Sequence, residues 1–314
     1  MTSLAQSGPQ AATAGARAAG RLTLSTILFA ISAGICVQVF VLLSLSGGDP
    51  VDALCYWLTN PDHPYDRAQF QFAYSPVVAQ LAAPLFQLPF AMFAALMRVI
   101  EIASLVFLTG PLAGALIFTT PVASEVNAAN INLLIAVIMV LGFRWPALWA
   151  LPLLTKPSMG VGLVWFLVRG EWRKLAAPIA IAGALALGSF LLNQRVWFEY
   201  YTFLTSGTAQ DGGWPYPYPI TVRLPISLAL VIWGARTNRP WTVALASAFA
   251  LPRLYYQSPA ILIALVPLVP WLGRLVVPWV RRIGQLDAIV PMRPIWSRGR
   301  AGAMDRPSPT TGPA

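Results

Sequence analysis

Residues 21–48 read RLTLSTILFAISAGICVQVFVLLSLSGG, an apolar stretch long enough to cross a bilayer as one helix, because a membrane helix needs about 20 apolar residues. The stretch is too long for the core of a typical signal peptide and lacks a small-residue cleavage site, so we expect an uncleaved anchor. The whole chain of 314 residues is 57% hydrophobic and only 10% charged, whereas soluble domains carry about 25% charged residues. The sequence therefore predicts an all-α, polytopic integral membrane protein.

Further apolar segments bring the predicted total to about 9–10 membrane helices. The segment between Arg144 and Arg169 is expected to form a hairpin of two short helices, because Lys156-Pro157 interrupts it. The other predicted spans lie near residues 22–45, 76–97, 99–118, 129–143, 175–192, 221–235, 241–252 and 258–279.

The ends of the chain and its charge set the predicted orientation. Both ends are poor in large apolar residues, so we expect disordered cytoplasmic tails at 1–20 and 281–314 around a membrane domain at 21–280. The net charge of +10 comes from Arg and Lys on the side of the tails. This is the positive-inside pattern of a plasma-membrane protein rather than a nucleic-acid-binding surface. In this topology Glu101 lies on the cytoplasmic side and Glu125 on the outer side.

The sequence offers little to hold a metal or a cofactor. His63 is the only histidine, and the two cysteines, Cys36 and Cys55, lie in and just beyond the first span without a metal-binding spacing. No nucleotide-binding glycine motif is present. We therefore expect neither a cofactor nor a metal ion.

Four aspartates, Asp49, Asp52, Asp62 and Asp66, are gathered in residues 49–76, although the chain has only 11 acidic residues. This loop is predicted to face away from the cytoplasm. A carboxylate that is partly shielded from water at a membrane surface can have a raised pKa and act as a general base. Asp49 and Asp52 are the candidates, because they follow the first span closely. The alternative is that Asp49 caps a short surface helix, and turn formation is favoured for Asp62 and Asp66.

Basic residues are scarce on the predicted outer side, and two of them are candidate phosphate ligands. Lys156 sits at a proline break within an apolar segment, and charged residues at such depth usually face a cavity or a partner. It is a candidate phosphate ligand, unless it reaches the interface or pairs with Glu125. Arg253 offers a planar guanidinium that fits phosphate oxygens.

Polar and aromatic residues near these cations are candidate substrate ligands. Asn130 and Asn132 open a predicted helix and can bind a sugar or a pyrophosphate, or else cap that helix or bridge to its neighbour. Tyr256 follows Arg253 and is either a substrate contact or part of an aromatic belt at the membrane boundary.

The order of several motifs resembles glycosyltransferase family 87. These motifs are DALCYW (52–57), FAYSPVVAQLAAPLFQLPF (72–90), ANINLL (129–134) and LPLLTKPSMGVGLVWFLVRGEWR (151–173), and the resemblance covers about residues 22–280. Members of that family are membrane-embedded enzymes of the GT-C class that use polyprenyl-phosphate sugars, typically mannose.

The resemblance implies roles for individual residues. Asp52 with Tyr56, or else the nearby Asp49, matches the acidic motif after the first helix. Further matches are Tyr74 with Pro76, the pair Asn130 and Asn132, and Lys156. RLYYQSP (253–259) resembles a late polar-aromatic motif but lacks the histidine often found there.

Together these features predict an inverting hexosyltransferase on the extracytoplasmic side of the plasma membrane. Its partners would be a polyprenyl-phosphate sugar donor, a glycolipid or glycan acceptor and membrane lipids. Asp52 or Asp49 would act as the base, while Lys156 and Arg253 would bind the donor phosphate. Tyr56, Tyr74, Asn130, Asn132 and Tyr256 would contact substrate. The alternatives are a transporter, a flippase for lipid-linked glycans and a non-catalytic protein of envelope assembly.

Overall fold

The computed structural model describes residues 9–66, 72–205, 218–252 and 254–273. The α-helices are α1 Pro9–Leu45, α2 Val51–Trp57, α3 Pro76–Phe86, α4 Phe90–Thr109, α5 Ala113–Leu116, α6 Thr120–Ala128, α7 Asn132–Leu141, α8 Ala150–Thr155, α9 Val164–Val168, α10 Trp172–Leu192, α11 Gln194–Thr205, α12 Ile220–Thr237, α13 Trp241–Ala250 and α14 Leu265–Leu268. Short 3₁₀ helices cover Gly110–Leu112, Pro146–Trp149, Pro157–Leu163 and Ser258–Ala264. Every regular element in these ranges is helical, which confirms the all-α prediction.

Four helical stretches are long and apolar enough to cross a membrane. They are Leu24–Leu45, Phe90–Leu116, Trp172–Leu192 and Ile220–Thr237. Large apolar side chains on the first and third of these face outward, including Leu42 and Leu191. An outward apolar surface on long helices is typical of a protein whose solvent is lipid. The structure is thus consistent with an integral membrane protein.

Shorter apolar helices occupy the other predicted spans. One pair, α6 and α7, forms a single apolar stretch that bends by 108°. The break at Lys156-Pro157 is also present: α8 ends at Thr155, and a 3₁₀ helix starts at Pro157. Proline lacks the amide hydrogen that a continuing helix would need.

The boundary predicted between two spans at Arg98 is wrong. Helix α3 ends at Phe86, and α4 runs without interruption from Phe90 to Thr109. Arg98 lies inside α4. Its buried guanidinium donates a hydrogen bond to the carbonyl oxygen of Leu43 in α1. The charge is therefore accommodated inside the bundle and does not mark a loop.

The predicted tails are described only in part. Helix α1 begins at Pro9, so it starts within the segment 1–20 that was predicted as disordered. The predicted tail at 281–314 lies outside the described residues.

Helix α1 packs closely against the chain that follows α4. The Gly114 amide donates a hydrogen bond of 2.6 Å to Ser32 Oγ. A Cβ atom at Gly114 would lie 2.9 Å from Ser32 Cα, which is closer than real side chains approach. The contact therefore requires glycine at this position.

Arg223 in α12 holds the segment that leads into the late polar motif. Its buried guanidinium donates hydrogen bonds to the carbonyl oxygens of Tyr218, Phe249, Leu251 and Pro252 at distances from 2.7 to 3.3 Å. Helix α13 ends at Ala250, so these bonds fix the chain just before residues 254–258. This arrangement positions one wall of the site described next.

Candidate functional site

Polar side chains from six parts of the fold meet in the interior. They come from α2, the segment before α3, helix α4, the broken helix α6–α7, the break at Lys156 after α8, and the turn before Ser258–Ala264. We call this group the polar cluster; its members are Asp52, Tyr56, Tyr74, Glu101, Glu125, Asn130, Asn132, Lys156 and Gln257.

Asp52 lies in the first turn of α2 and is partly buried. Gln257 Nε2 donates a hydrogen bond of 3.2 Å to Asp52 Oδ2, and Asn130 also hydrogen-bonds the Asp52 side chain. Burial raises the Asp52 pKa above its usual value, although the charge of Lys156 and the bonds from Gln257 and Asn130 oppose this shift. A carboxylate with a raised pKa is a stronger base, as general-base catalysis requires.

Two tyrosines fix the Asn130 amide beside Asp52. The Tyr56 hydroxyl donates a hydrogen bond of 3.0 Å to Asn130 Oδ1, and the hydroxyl groups of Tyr56 and Tyr74 are 2.7 Å apart. Asn130 Oδ1 also accepts a hydrogen bond from the backbone amide of Ile131. Since the amide oxygen is already engaged, the amide nitrogen is the group available to donate to Asp52.

Lys156 lies at the break after α8 and points to the same cluster. Its ammonium group donates a hydrogen bond to Asn132 Oδ1, and it interacts electrostatically with Glu125 and Asp52. These contacts favour a polar partner over the alternative that Lys156 reaches out to the membrane interface. The alternative of pairing with Glu125 holds in a modified form, because Asn132 bridges the two side chains.

Two fully buried carboxyl groups, those of Glu101 and Glu125, surround the first turn of α7. Glu125 accepts hydrogen bonds from Asn132 N at 2.5 Å and Asn132 Nδ2 at 2.8 Å. Glu101 accepts from the backbone amides of Leu133 and Leu134 at 3.3 and 3.4 Å. These bonds satisfy three amides that the helix itself leaves without partners.

The predicted sides for these two glutamates were inconsistent with the fold. Glu101 was placed on the cytoplasmic side and Glu125 on the outer side, yet their carboxyl groups hydrogen-bond each other. Glu101 was predicted near the cytoplasmic end of a span that starts just after Arg98, whereas it lies in the middle of the continuous apolar helix α4. A lone acid within FAMFAALMRVIEIASLVFLT (90–109) was the signal that pointed to an interior partner.

Not all predicted site residues join the polar cluster. Asp49 is exposed, and within the described residues no hydrogen bond or ion pair connects it to Asp52. It does not cap α2 either, since Pro50 is the N-cap residue and makes no side-chain cap. Tyr256 is 61% exposed, and its neighbour Gln257, which we did not single out from the sequence, is the residue that reaches Asp52. Arg253 lies outside the described residues.

A second group of ionisable side chains joins the loop after α2 to α11. His63 Nδ1 lies 3.3 Å from Glu199 Oε1 and 3.7 Å from Asp66 Oδ2. One potential metal-binding atom from each residue lies within 4.8 Å of the others. However, Arg195 Nε also contacts Glu199 Oε1, at 2.9 Å. The guanidinium competes with a cation for that oxygen, so the group is best described as a polar contact between the two elements.

A small pocket lies elsewhere in the molecule and contains Arg169 and Lys174 in its wall. Both cations bind Glu171, at 3.0 and 2.9 Å. None of the residues that line this pocket belongs to the polar cluster. The pocket is therefore separate from the candidate site.

Comparison with known proteins adds no relative: no protein-family model, no curated protein and no solved structure matches this chain.

Proposed function

We propose that this protein is a membrane glycosyltransferase that moves a hexose, such as mannose, from a polyprenyl-phosphate donor to a glycolipid or glycan acceptor of the cell envelope. The observation that carries the proposal is that Asp52 and Lys156, which are 104 positions apart in the numbered sequence, interact within one cluster. An acid and a cation at one site are the two groups that such a transfer needs: one to accept a proton and one to stabilise a phosphate.

The reaction would proceed by direct displacement at the anomeric carbon. The Asp52 carboxylate takes the proton from an acceptor hydroxyl as its oxygen forms a bond to that carbon. The bond between the carbon and the phosphate oxygen breaks, and polyprenyl phosphate leaves with the electron pair. Lys156 stabilises the negative charge on the departing phosphate. The configuration at the anomeric carbon is inverted, because attack and departure occur on opposite faces.

The geometry refines the roles proposed for the other residues. Tyr56, Tyr74 and Asn130 are turned towards one another and Asp52, so we assign them to orienting the base. Asn132 is assigned to holding Lys156. Arg253 remains the proposed second phosphate ligand, and Tyr256 the proposed contact to a sugar ring.

The proposal includes a location and an architecture. The helices would form a GT-C-like bundle of about 9–10 membrane helices, in which the shorter apolar helices pair to complete spans. Both termini would be cytoplasmic, and the polar cluster would open to the extracytoplasmic side of the plasma membrane, as the distribution of basic residues favours.

Transfer of a radioactive sugar tests this function. Purified protein in lipid nanodiscs would be incubated with polyprenyl-phosphate-[¹⁴C]mannose and an extract of envelope lipids. Covalent label in an acceptor that depends on the protein supports the proposal. The same lipids recovered without label, from a preparation that binds the donor, would contradict it.

One observation favours transport as a second candidate function. Glu101 and Glu125 are both buried, and the apolar stretch α6–α7 is a broken helix. Buried acids and discontinuous helices are features of transporters. Reconstituted vesicles separate the two functions: a transporter or flippase moves labelled lipid across the bilayer chemically unchanged, whereas a transferase changes the molecule that carries the label.

A further inference from the structure

Asn132 lies between a carboxylate and an ammonium group in the interior of the protein. It is 2% exposed. Its backbone amide and its Nδ2 donate to the two oxygens of Glu125, and its Oδ1 accepts from Lys156. These three contacts fix the orientation of the Asn132 side-chain amide, with its nitrogen towards Glu125 and its oxygen towards Lys156.

We propose that Glu125 is a positioning residue that aims Lys156 at an anionic lipid headgroup. By accepting both Asn132 donors, Glu125 turns the Asn132 carbonyl oxygen towards Lys156, and that oxygen holds the ammonium group beside Asp52. The inference rests on the proposed function in one respect, namely that the anion is the phosphate of a polyprenyl-phosphate donor.

Only a carboxylate can make this arrangement. Glu125 meets two donors, Asn132 N and Asn132 Nδ2, and accepts one with each oxygen. Glutamine has the same shape but one acceptor and one donor group, so Glu125→Gln would place its amide nitrogen against one of those donors. The Asn132 side chain would then turn over to present its oxygen to the substituted amide and its nitrogen to Lys156. The Asn132 side-chain nitrogen and the Lys156 ammonium group, both donors, would then face each other, and Lys156 would lose its hydrogen-bond acceptor.

The charges around Glu125 allow positioning to be separated from folding. The titratable groups that interact with Glu125 are Asp52, Tyr56, Tyr74, Glu101 and Lys156. Replacing Glu125 with glutamine removes a negative charge near Asp52 and changes the group that Glu101 hydrogen-bonds. If Glu125 acted only as a negative charge, its replacement by glutamine would leave anion binding unchanged or strengthen it, because a negative charge that competes for Lys156 is removed.

A reciprocal exchange provides the decisive variant. In Glu125→Gln/Asn132→Asp, the glutamine nitrogen donates to one oxygen of the new carboxylate, and the glutamine oxygen accepts the backbone amide of residue 132. The second carboxylate oxygen then accepts from Lys156. The double variant keeps the total charge and restores a complementary partner for every donor.

The test uses a sugar-free decaprenyl monophosphate as the probe, with binding to the full chain in nanodiscs measured by thermophoresis. We expect the Kd of Glu125→Gln to rise about ten-fold, the typical effect of losing a hydrogen bond to a charged group. The double variant should return to within about three-fold of the wild type, because contacting residues couple strongly. Glu199→Gln is the matched control and should bind like the wild type.

The possible outcomes separate this inference from the proposed function. Wild-type affinity in Glu125→Gln, or a double variant no better than the single one, overturns the positioning role. If Glu125→Gln is too unstable to purify, the double variant is compared with the wild type instead. A Kd within about three-fold of the wild type supports the positioning role, and a larger rise overturns it. If the exchange behaves as expected but the wild type transfers no sugar, the positioning role stands and the transferase proposal fails. If the wild type transfers sugar and Glu125→Gln leaves KM for the donor unchanged, the transferase proposal stands and the positioning role fails. A wild type that binds no lipid phosphate contradicts both.

Discussion

Gln257 Nε2 lies 3.2 Å from Asp52 Oδ2, so the late polar motif and the short helix after the first span, 205 positions apart, form one site. Gln257 is held on one side of Asp52 and Asn130 on another. The carboxylate therefore has a fixed direction before any substrate binds, which is the property expected of a general base.

Removing Gln257 is expected to shift the pH dependence of transfer. Asp52 must be ionised to accept a proton, so the rate falls as the pH drops through its pKa. The bond from Gln257 lowers the Asp52 pKa; Gln257→Ala should therefore move the acid limb of kcat/KM to higher pH and reduce its maximum about ten-fold. Gln194→Ala, an exposed position at the start of α11, is the control. An acid limb that does not move would show that this bond does not act on the base.

Lys156→Met is expected to act mainly on the donor. Without the ammonium group, KM for the polyprenyl-phosphate sugar should rise at least about ten-fold, because a charge-assisted contact to phosphate is lost. The acid limb should also move to higher pH, since the Lys156 charge lowers the Asp52 pKa. Lys174→Met, which loses only a partly exposed pair with Glu171, serves as the control in the same steady-state assay. Equal KM values in the two variants would contradict the phosphate role.

Arg223→Ala is expected to destabilise the fold and not only the site. The variant leaves the carbonyl oxygens of Phe249 and Leu251 without their buried donor, which should lower the free energy of unfolding by about 3 kcal/mol. Unfolding in detergent, followed by the intrinsic fluorescence of tryptophan, measures the change. Arg195→Ala, where the side chain is 72% exposed, should be within about 0.5 kcal/mol of the wild type. Similar stabilities for both variants would argue against the role of Arg223 as a clamp.

Glycine substitutions test the packing of the first span. Gly114→Ala should destabilise the protein by about 1–3 kcal/mol, because the added Cβ meets the Ser32 backbone at 2.9 Å. Gly183→Ala in α10 has nothing within 4 Å of the added atom, and alanine favours helix by about 1 kcal/mol over glycine. The two unfolding temperatures should therefore move in opposite directions. A shift of the same sign in both would mean that α1 does not pack as described.

Most of the helical segments could be predicted from the sequence, because helix formation in apolar segments depends on neighbouring residues. Composition and segment length predicted an all-α chain, and proline predicted the break at Lys156-Pro157. The pair Asn130 and Asn132 was correctly predicted to open a helix. These features depend on a few neighbouring residues, so they can be read without knowing the fold.

The parts that depend on tertiary contacts could not be read in this way. Arg98 looks like the boundary between two spans in a hydropathy pattern, and Glu101 then falls near the end of the second span, yet each is accommodated by a partner from a distant segment. Asp49 and Asp52 are equivalent candidates in the sequence, and only folding shows that Asp52 faces the interior. Likewise, Tyr256 was predicted as a candidate substrate contact, but the next residue, Gln257, makes the contact with Asp52.

The most direct measurement of the central claim compares sugar transfer by Asp52→Asn and Asp49→Asn under single-turnover conditions with saturating donor. Asparagine has nearly the same size as aspartate but cannot accept the proton. We predict that Asp52→Asn binds the donor and transfers no detectable sugar, while Asp49→Asn transfers at close to the wild-type rate. Transfer by Asp52→Asn at the wild-type rate would contradict the account.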